Sequence, residues 1–126
     1  AKLVNFEWEV TKRQEVASKY DEIFDASGIN RMQVMKDRTS VYAQYTLSVD
    51  NREGLIDCMA KHNIPYAIHY PNTLDKQAPY IDLNDKREFL NADELSRNVI
   101  SIPMHPYLNI EDQNFIASTI VEFFNN

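Results

Sequence analysis

Apolar residues recur every three or four positions through the first part of the chain, and charged residues occupy many of the positions between them. That spacing predicts an amphipathic helix over residues 1–27. Its apolar positions are Leu3, Phe6, Val10, Val16, Tyr20, Ile23 and Phe24. We expect the helix to end at Ser27-Gly28, because glycine takes the left-handed conformation that closes many helices. The helix is long for a domain of this size, so part of its apolar face, with Trp8, is expected to contact something outside the chain.

The pattern then predicts a strand, a helix and a second strand. Residues 41–49 alternate apolar and polar positions and are rich in β-branched and aromatic side chains, as strands are. Asp50 offers an N-cap for a helix that ends near His62-Asn63. The apolar positions of this helix are Leu55, Ile56, Met59 and Ala60. Residues 64–70 predict the next strand, either parallel and adjacent to the first or separated from it by a third strand.

The remainder of the chain predicts one long connection and three further elements. Residues 71–91 hold prolines and scattered polar residues without periodicity, residues 92–97 form a short helix, and residues 99–102 form a strand. Asn109 and Asp112 form a capping pair before a closing helix. That helix carries Ile110, Phe115, Ile116, Ile120, Val121 and Phe124. We predict a single α+β domain over 1–126, with a small antiparallel or mixed sheet of about three strands packed with helices.

Composition excludes several classes of function. The net charge of −6 opposes binding to nucleic acid. The apolar runs are far shorter than the roughly 20 residues that a membrane span needs, and no secretory signal is recognisable, so we expect a cytoplasmic protein that does not contact a membrane. Cys58 is the only cysteine, which excludes an internal disulfide and a cysteine-based zinc cluster.

The chain lacks the motifs of self-sufficient catalysis. Gly28 and Gly54 are the only glycines, too few for a GxGxxG turn or a Walker loop. The three histidines are too scattered for an HExxH site, and no nucleophile elbow is present. The acidic residues between Asp82 and Glu94 lack the spacing of a calcium loop and indicate a solvated face. We therefore predict no catalytic, cofactor-binding or metal-binding residue in these 126 positions.

The segment from Ile64 to Pro71 is the most informative part of the chain. It places His69 and Tyr70 at the end of an apolar strand, and Pro71 then turns the backbone. From the residues alone two interpretations stay open: His69 caps the strand while Tyr70 fills a gap under the following loop, or both side chains meet a ligand. The turn around His105, between two prolines, is rigid and could be purely architectural.

Four segments in succession resemble a known family. They are KRQEVASKYDE (12–22), SVYAQYTLSVDNRE (40–53), IPYAIHYPNTLDKQAPY (64–80) and LSRNVISIPMHPYLNIEDQNFI (95–116). In this order they resemble the C-terminal small domain of the DegT-type nucleotide-sugar aminotransferases, pyridoxal-phosphate enzymes with the aspartate-aminotransferase fold. The SVYAQYT and HYP combination is most similar to members that aminate a 3-keto UDP-N-acetyl sugar acid for bacterial surface polysaccharide or lipopolysaccharide.

The resemblance implies two domains with different roles. Helix 1–27 would link a large upstream domain to a small α+β domain over 28–126. The large domain would supply the lysine that holds pyridoxal phosphate, and the parent protein would be a homodimer. This chain alone is thus expected neither to bind the cofactor nor to transfer amino groups. His69 and Tyr70 would face the nucleotide-sugar substrate.

Two positions of the chain depart from the family pattern, and two alternative functions stay open. Thr73 stands where the family commonly has proline, and Asp75 where it has histidine or asparagine; a carboxylate beside an anionic ligand is unfavourable, which argues against a loop contact to substrate. Some family members act as sugar dehydratases in which the cofactor lysine is replaced. A free-standing α+β binding or interaction module is the other alternative, although the apolar start of the first helix opposes it.

Overall fold

Helices cover one face of a small antiparallel sheet in the computed structural model, which describes residues 2–83 and 88–125, without the side chains of residues 2, 3 and 83. Its helices are α1 (Phe6–Ala26), α2 (Arg52–Lys61), α3 (Leu90–Asn98) and α4 (Ile110–Asn125), and its strands are β1 (Tyr45–Ser48) and β2 (Val99–Ile102). Short 3₁₀ turns occupy Lys2–Asn5, Leu74–Lys76 and Ile81–Leu83. The predicted α+β class is confirmed. Residues 84–87 of the predicted long connection lie outside the described residues.

The first helix ends where its sequence predicts. Gly28 has φ +69, and the amide of Ile29 donates to the carbonyl of Phe24 at 3.0 Å, which closes the last turn. The apolar positions of the second half, Val16, Tyr20 and Phe24, are buried. The element begins with a 3₁₀ turn followed by the helix, and the side chains of Val4, Phe6 and Trp8 there are exposed.

The first strand is shorter than predicted. β1 begins at Tyr45 rather than residue 41, because Tyr42 adopts a left-handed conformation with φ 46 that interrupts extended backbone. The prediction of Asp50 as the cap of α2 is also wrong. Asn51 caps that helix, accepting a hydrogen bond from the amide of Gly54 at 3.1 Å.

Within residues 2–83 and 88–125, the sheet has two strands rather than about three. β1 and β2 are antiparallel, with Leu47 opposite Ile100. Residues 64–70 do not form a strand: Ala67 makes one isolated bridge to Ser101, with N···O distances of 3.0 and 2.9 Å. Pro65 lacks an amide donor and the chain bends at His69, so little backbone remains for pairing. β2 lies between β1 and this segment, an order that agrees with the alternative of a strand in between, although the segment itself is not a strand.

The core fills the space between the sheet and the helices. Tyr20 lies 5.6 Å from Phe24 and 4.9 Å from Tyr45 between ring centroids, forming an aromatic cluster. Around it lie Val16, Ala17, Ile29, Leu47, Val49, Leu55, Met59, Ile64, Ile100, Ile102, Ile116, Ala117 and Ile120. The hydroxyl of Tyr45 donates to Asp21 Oδ1 at 2.7 Å. Burial, the larger effect, and this bond to a carboxylate both raise the pKa of Tyr45.

The last two helices follow the prediction with adjustments. α3 begins at Leu90, two residues before the predicted start. The capping pair of α4 is confirmed, because the amide of Asp112 donates to Asn109 Oδ1 at 2.7 Å. Several apolar positions of α4 are nevertheless exposed, among them Ile110 and Phe115. Gln113 is instead buried, donating to the carbonyl of Val16 on α1 at 2.7 Å.

Candidate functional site

The sheet face that points away from the core is polar. Because side chains alternate along a strand, Tyr45 and Leu47 enter the core while Thr46 points to the opposite face. Thr46 lies opposite Ser101 in the ladder, and their hydroxyl oxygens are 3.0 Å apart. The bridge at Ala67 brings the segment that carries His69 alongside this pair.

His69 and Tyr70 stand side by side at the edge of this face. Their ring centroids are 6.5 Å apart, and both side chains are exposed, Tyr70 by 70%. Within residues 2–83 and 88–125, neither the imidazole nitrogens nor the phenol oxygen has a protein hydrogen-bond partner. These polar atoms therefore face solvent and are free to bind a ligand.

Two adjoining hollows meet at His69. The larger is a groove of about 220 Å³ whose lining includes Tyr66 and Met104. It is lined by Ala43, Gln44, Pro65, Tyr66, Ala67, His69, Ser101, Ile102, Pro103 and Met104. The smaller, of about 60 Å³, is bordered by Thr46, His69, Tyr70 and Ser101. An apolar groove beside a hydroxyl-lined hollow suits a ligand with one ring-like part and one hydroxyl-bearing part.

The loop that follows Tyr70 is fastened to α3. Thr73 is buried, and the 3₁₀ turn after it directs Lys76 onto Asp93, with which it forms an ion pair and a hydrogen bond. This bond from Lys76, more than any other interaction, lowers the pKa of Asp93. Of the two positions that depart from the pattern of the resembled family, Thr73 is thus buried beneath the loop and Asp75 is half-buried.

Replacing Asp93 by asparagine is expected to loosen residues 72–77 at neutral pH. The native chain should loosen only under acid, because a carboxyl whose pKa is lowered by folding stabilises above its ordinary pKa and loses that effect as pH falls through its folded value. Protection factors from amide hydrogen exchange at a series of pH values measure this. Lys76→Gln should reproduce the neutral-pH result, and unchanged protection in both variants would contradict it.

Sequence reasoning missed part of the site although a signal was present. Gln44, Thr46 and Ser101 line the hollows but were not singled out. Gln44 and Thr46 are the polar members of the alternation that predicts β1, so their common face follows from the spacing. Their proximity to His69 depends on the order of the segments in the sheet, which the spacing does not specify.

The predicted turn around His105 contacts α1. Tyr107 lies against Trp8 of α1, with ring centroids 5.4 Å apart, and its hydroxyl donates to Glu9 Oε1 at 3.3 Å. Although Met104 borders the groove, neither His105 nor Tyr107 lines it. His62 is exposed at the C-cap of α2, close to the predicted end of that helix.

The lysines whose side chains the structure describes lie at the surface. A cofactor lysine needs a desolvated pocket. Lys12, Lys19 and Lys76 have exposed side chains paired with Glu15, Glu22 and Asp93. Lys36 and Lys61 are exposed as well, while the side chains of Lys2 and Lys86 lie outside the described set. Over the same residues, no group of three or more metal-binding side chains occurs, and no helix has the length and apolar character of a membrane span.

Comparison with known families gives a match over most of the chain. The model of the DegT/DnrJ/EryC1/StrS aminotransferase family matches residues 1–121. This agrees with the resemblance identified from the four sequence segments.

Individual relatives give the same result. A UDP-2-acetamido-2-deoxy-3-oxo-D-glucuronate aminotransferase from Pseudomonas aeruginosa is 37% identical over 119 residues, which are 94% of this chain and 33% of that protein. A dTDP-3-amino-3,6-dideoxy-alpha-D-galactopyranose transaminase from Aneurinibacillus thermoaerophilus is 26% identical over 86% of this chain and 30% of its own. The crystal structure of a DegT DnrJ EryC1 StrS aminotransferase from Brucella abortus superposes with a TM-score of 0.91 at 28% identity, covering 99% of this chain and 34% of that one. The chain thus spans about a third of the length of these relatives.

Proposed function

Because the chain belongs to the DegT/DnrJ/EryC1/StrS aminotransferase family, we propose that it is the substrate-recognition part of a pyridoxal-phosphate-dependent nucleotide-sugar aminotransferase. The observation that carries this proposal is the placement of His69 and Tyr70. Their unpartnered polar atoms stand together where an apolar groove meets a hydroxyl-lined hollow. An imidazole and a phenol in that position hold a sugar by hydrogen bonds to its oxygens.

The ligand we propose is a nucleoside diphosphate linked to a keto sugar. The Pseudomonas aeruginosa and Aneurinibacillus thermoaerophilus relatives are named for UDP-linked and dTDP-linked sugars, and identity is higher to the first. This supports a 3-keto UDP-N-acetyl sugar acid as the substrate. Its amination in the cytoplasm, for surface polysaccharide or lipopolysaccharide, is part of the proposal. The donor-rich hollow and the apolar groove suit the sugar and nucleoside parts respectively.

The amino-group chemistry belongs to residues elsewhere in the protein. Pyridoxal phosphate, when bound, carries the amino group from donor to sugar. Since the described lysines are exposed and paired or solvated, we place the cofactor lysine in a larger upstream domain. In this proposal the 126 residues bind and orient the sugar, and by themselves transfer no amino group.

The exposed start of α1 is proposed to contact that larger domain. Val4, Phe6 and Trp8 expose 84%, 54% and 45% of their surfaces, although all three are large and apolar. These three exposed side chains, called the apolar patch below, mark an interaction surface, because large apolar groups are seldom left together in water without a partner. Homodimerisation of the full-length protein is part of the same proposal.

His69→Ala and Tyr70→Phe in the full-length protein test the proposed function. Each is expected to raise KM for the nucleotide sugar about tenfold, because each removes a hydrogen bond that orients the sugar. Cofactor loading should be intact, since neither side chain holds the cofactor. Steady-state kinetics with the nucleotide sugar, and cofactor absorbance after gel filtration, measure the two effects.

His62→Ala is the matched control, because His62 is also exposed but does not line either hollow. It should leave both measurements unchanged. Identical kinetics for native, His69→Ala and Tyr70→Phe proteins would exclude both residues from substrate binding. Mass analysis of the product distinguishes an amino sugar from the dehydrated sugar of the related dehydratases.

A further inference from the structure

Side chains of α1 hold the two loops that form one side of the groove beside His69. Arg13 Nη1 donates to the carbonyl of Tyr42 at 3.1 Å and to the carbonyl of Met104 at 3.3 Å. Met104 lines the groove itself, and Tyr42 directly precedes the lining residue Ala43. One guanidinium nitrogen therefore joins two segments that are far apart in the chain.

Other bonds from α1 reinforce the same two loops. The hydroxyl of Tyr20 donates to the carbonyl of Pro103 at 3.2 Å, and Gln14 Nε2 donates to the carbonyl of Ser40 at 3.2 Å. Arg13 alone among these side chains bonds to both loops. It is also the charged member, and hydrogen bonds from a charged donor are the stronger kind.

The backbone that Arg13 holds is unusual. Tyr42 has φ 46, a conformation that a bulky side chain seldom adopts and that must be imposed by its surroundings. Its amide donates to Ser40 Oγ at 3.0 Å, and its carbonyl accepts from Arg13. Losing the guanidinium frees this loop to relax toward extended backbone, which would shift Ala43 and Gln44 in the groove wall.

We propose that Arg13 is a positioning residue, which holds the Tyr42 and Met104 loops in place so that the groove beside His69 fits the nucleotide sugar. This rests on the proposed function, because the groove matters only if His69 binds that ligand. Arg13 acts through the two carbonyls and does not line either hollow. The helix that bears it also carries the exposed apolar patch, so the same element connects the proposed domain contact to the groove.

Arg13→Gln and Arg13→Lys in the full-length protein test the inference. We expect Arg13→Gln to raise KM for the nucleotide sugar about tenfold, since small displacements of a binding wall have effects of this size. Arg13→Lys should give an intermediate KM, because an ammonium group supplies a charged donor but lacks the planar fork. Conversion of the cofactor by the amino donor alone, followed by absorbance, should proceed at the native rate in both.

Lys12→Gln is the matched control, since it removes a positive charge from the neighbouring position of α1, where Lys12 pairs only with exposed Glu15. It should leave KM unchanged. A native KM for the nucleotide sugar in Arg13→Gln would overturn the positioning role. This holds also if the thermal stability and the donor reaction of that variant fall. If His69→Ala raises KM and Arg13→Gln does not, this inference alone fails. If His69→Ala also has no effect, the proposed function fails with it.

Discussion

Replacing Tyr20 by alanine is expected to lower the free energy of unfolding by about 3–5 kcal/mol, the range for removing a buried aromatic side chain. Tyr20 is fully buried, and its ring contacts those of Phe24 and Tyr45. A domain is stable by only about 5–15 kcal/mol, so the variant should lose a large part of its stability. Urea denaturation of the 126-residue chain, followed by circular dichroism, measures the loss.

Tyr20→Phe distinguishes the contribution of the ring to stability from that of the hydroxyl. It keeps the aromatic cluster but leaves the carbonyl of Pro103 without this donor, and we expect a loss of about 1 kcal/mol. Burial raises the pKa of Tyr20, so the hydroxyl stays protonated and donating at neutral pH. Equal losses in the two variants would show that the hydrogen bond, rather than packing, dominates at this position.

The helices could be predicted because their signals are local. The spacing of Val16, Tyr20 and Phe24 specifies the buried face of α1, and Gly28 ends the helix by its own backbone freedom. The length of β1 could not be predicted in the same way. The left-handed conformation of Tyr42 is held by Arg13, a contact across 29 positions of sequence that no local pattern records.

The same distinction between local and long-range features applies to the site. His69 and Tyr70 could be recognised because their adjacency and the turn at Pro71 are both local. The pairing of Thr46 with Ser101 spans 55 positions, and it depends on β2 lying between β1 and the Ala67 segment. Chain order alone allowed two arrangements of those segments. The groove partners of His69 therefore required the three-dimensional structure.

Replacing Trp8 by alanine is expected to destabilise the full-length protein by about 2–4 kcal/mol, as truncation of a central aromatic does in an interface. In the 126-residue chain the same change should cost far less, because Trp8 is already 45% exposed there and loses mainly its contact with Tyr107. The difference between the two losses measures the burial of Trp8 against the rest of the protein. Urea unfolding of both proteins, native and variant, gives the four free energies needed.

Trp8→Phe tests whether an apolar ring is what the contact requires. Phenylalanine keeps most of the apolar area, so the full-length variant should retain much of the native stability. A polar side chain of comparable length, as in Trp8→Gln, should instead resemble alanine, because its amide would be buried without partners. Equal losses for Trp8→Ala in the short and full-length proteins would mean that the patch stays in water. The free-standing module would then explain the exposed α1 better than a covered domain contact does.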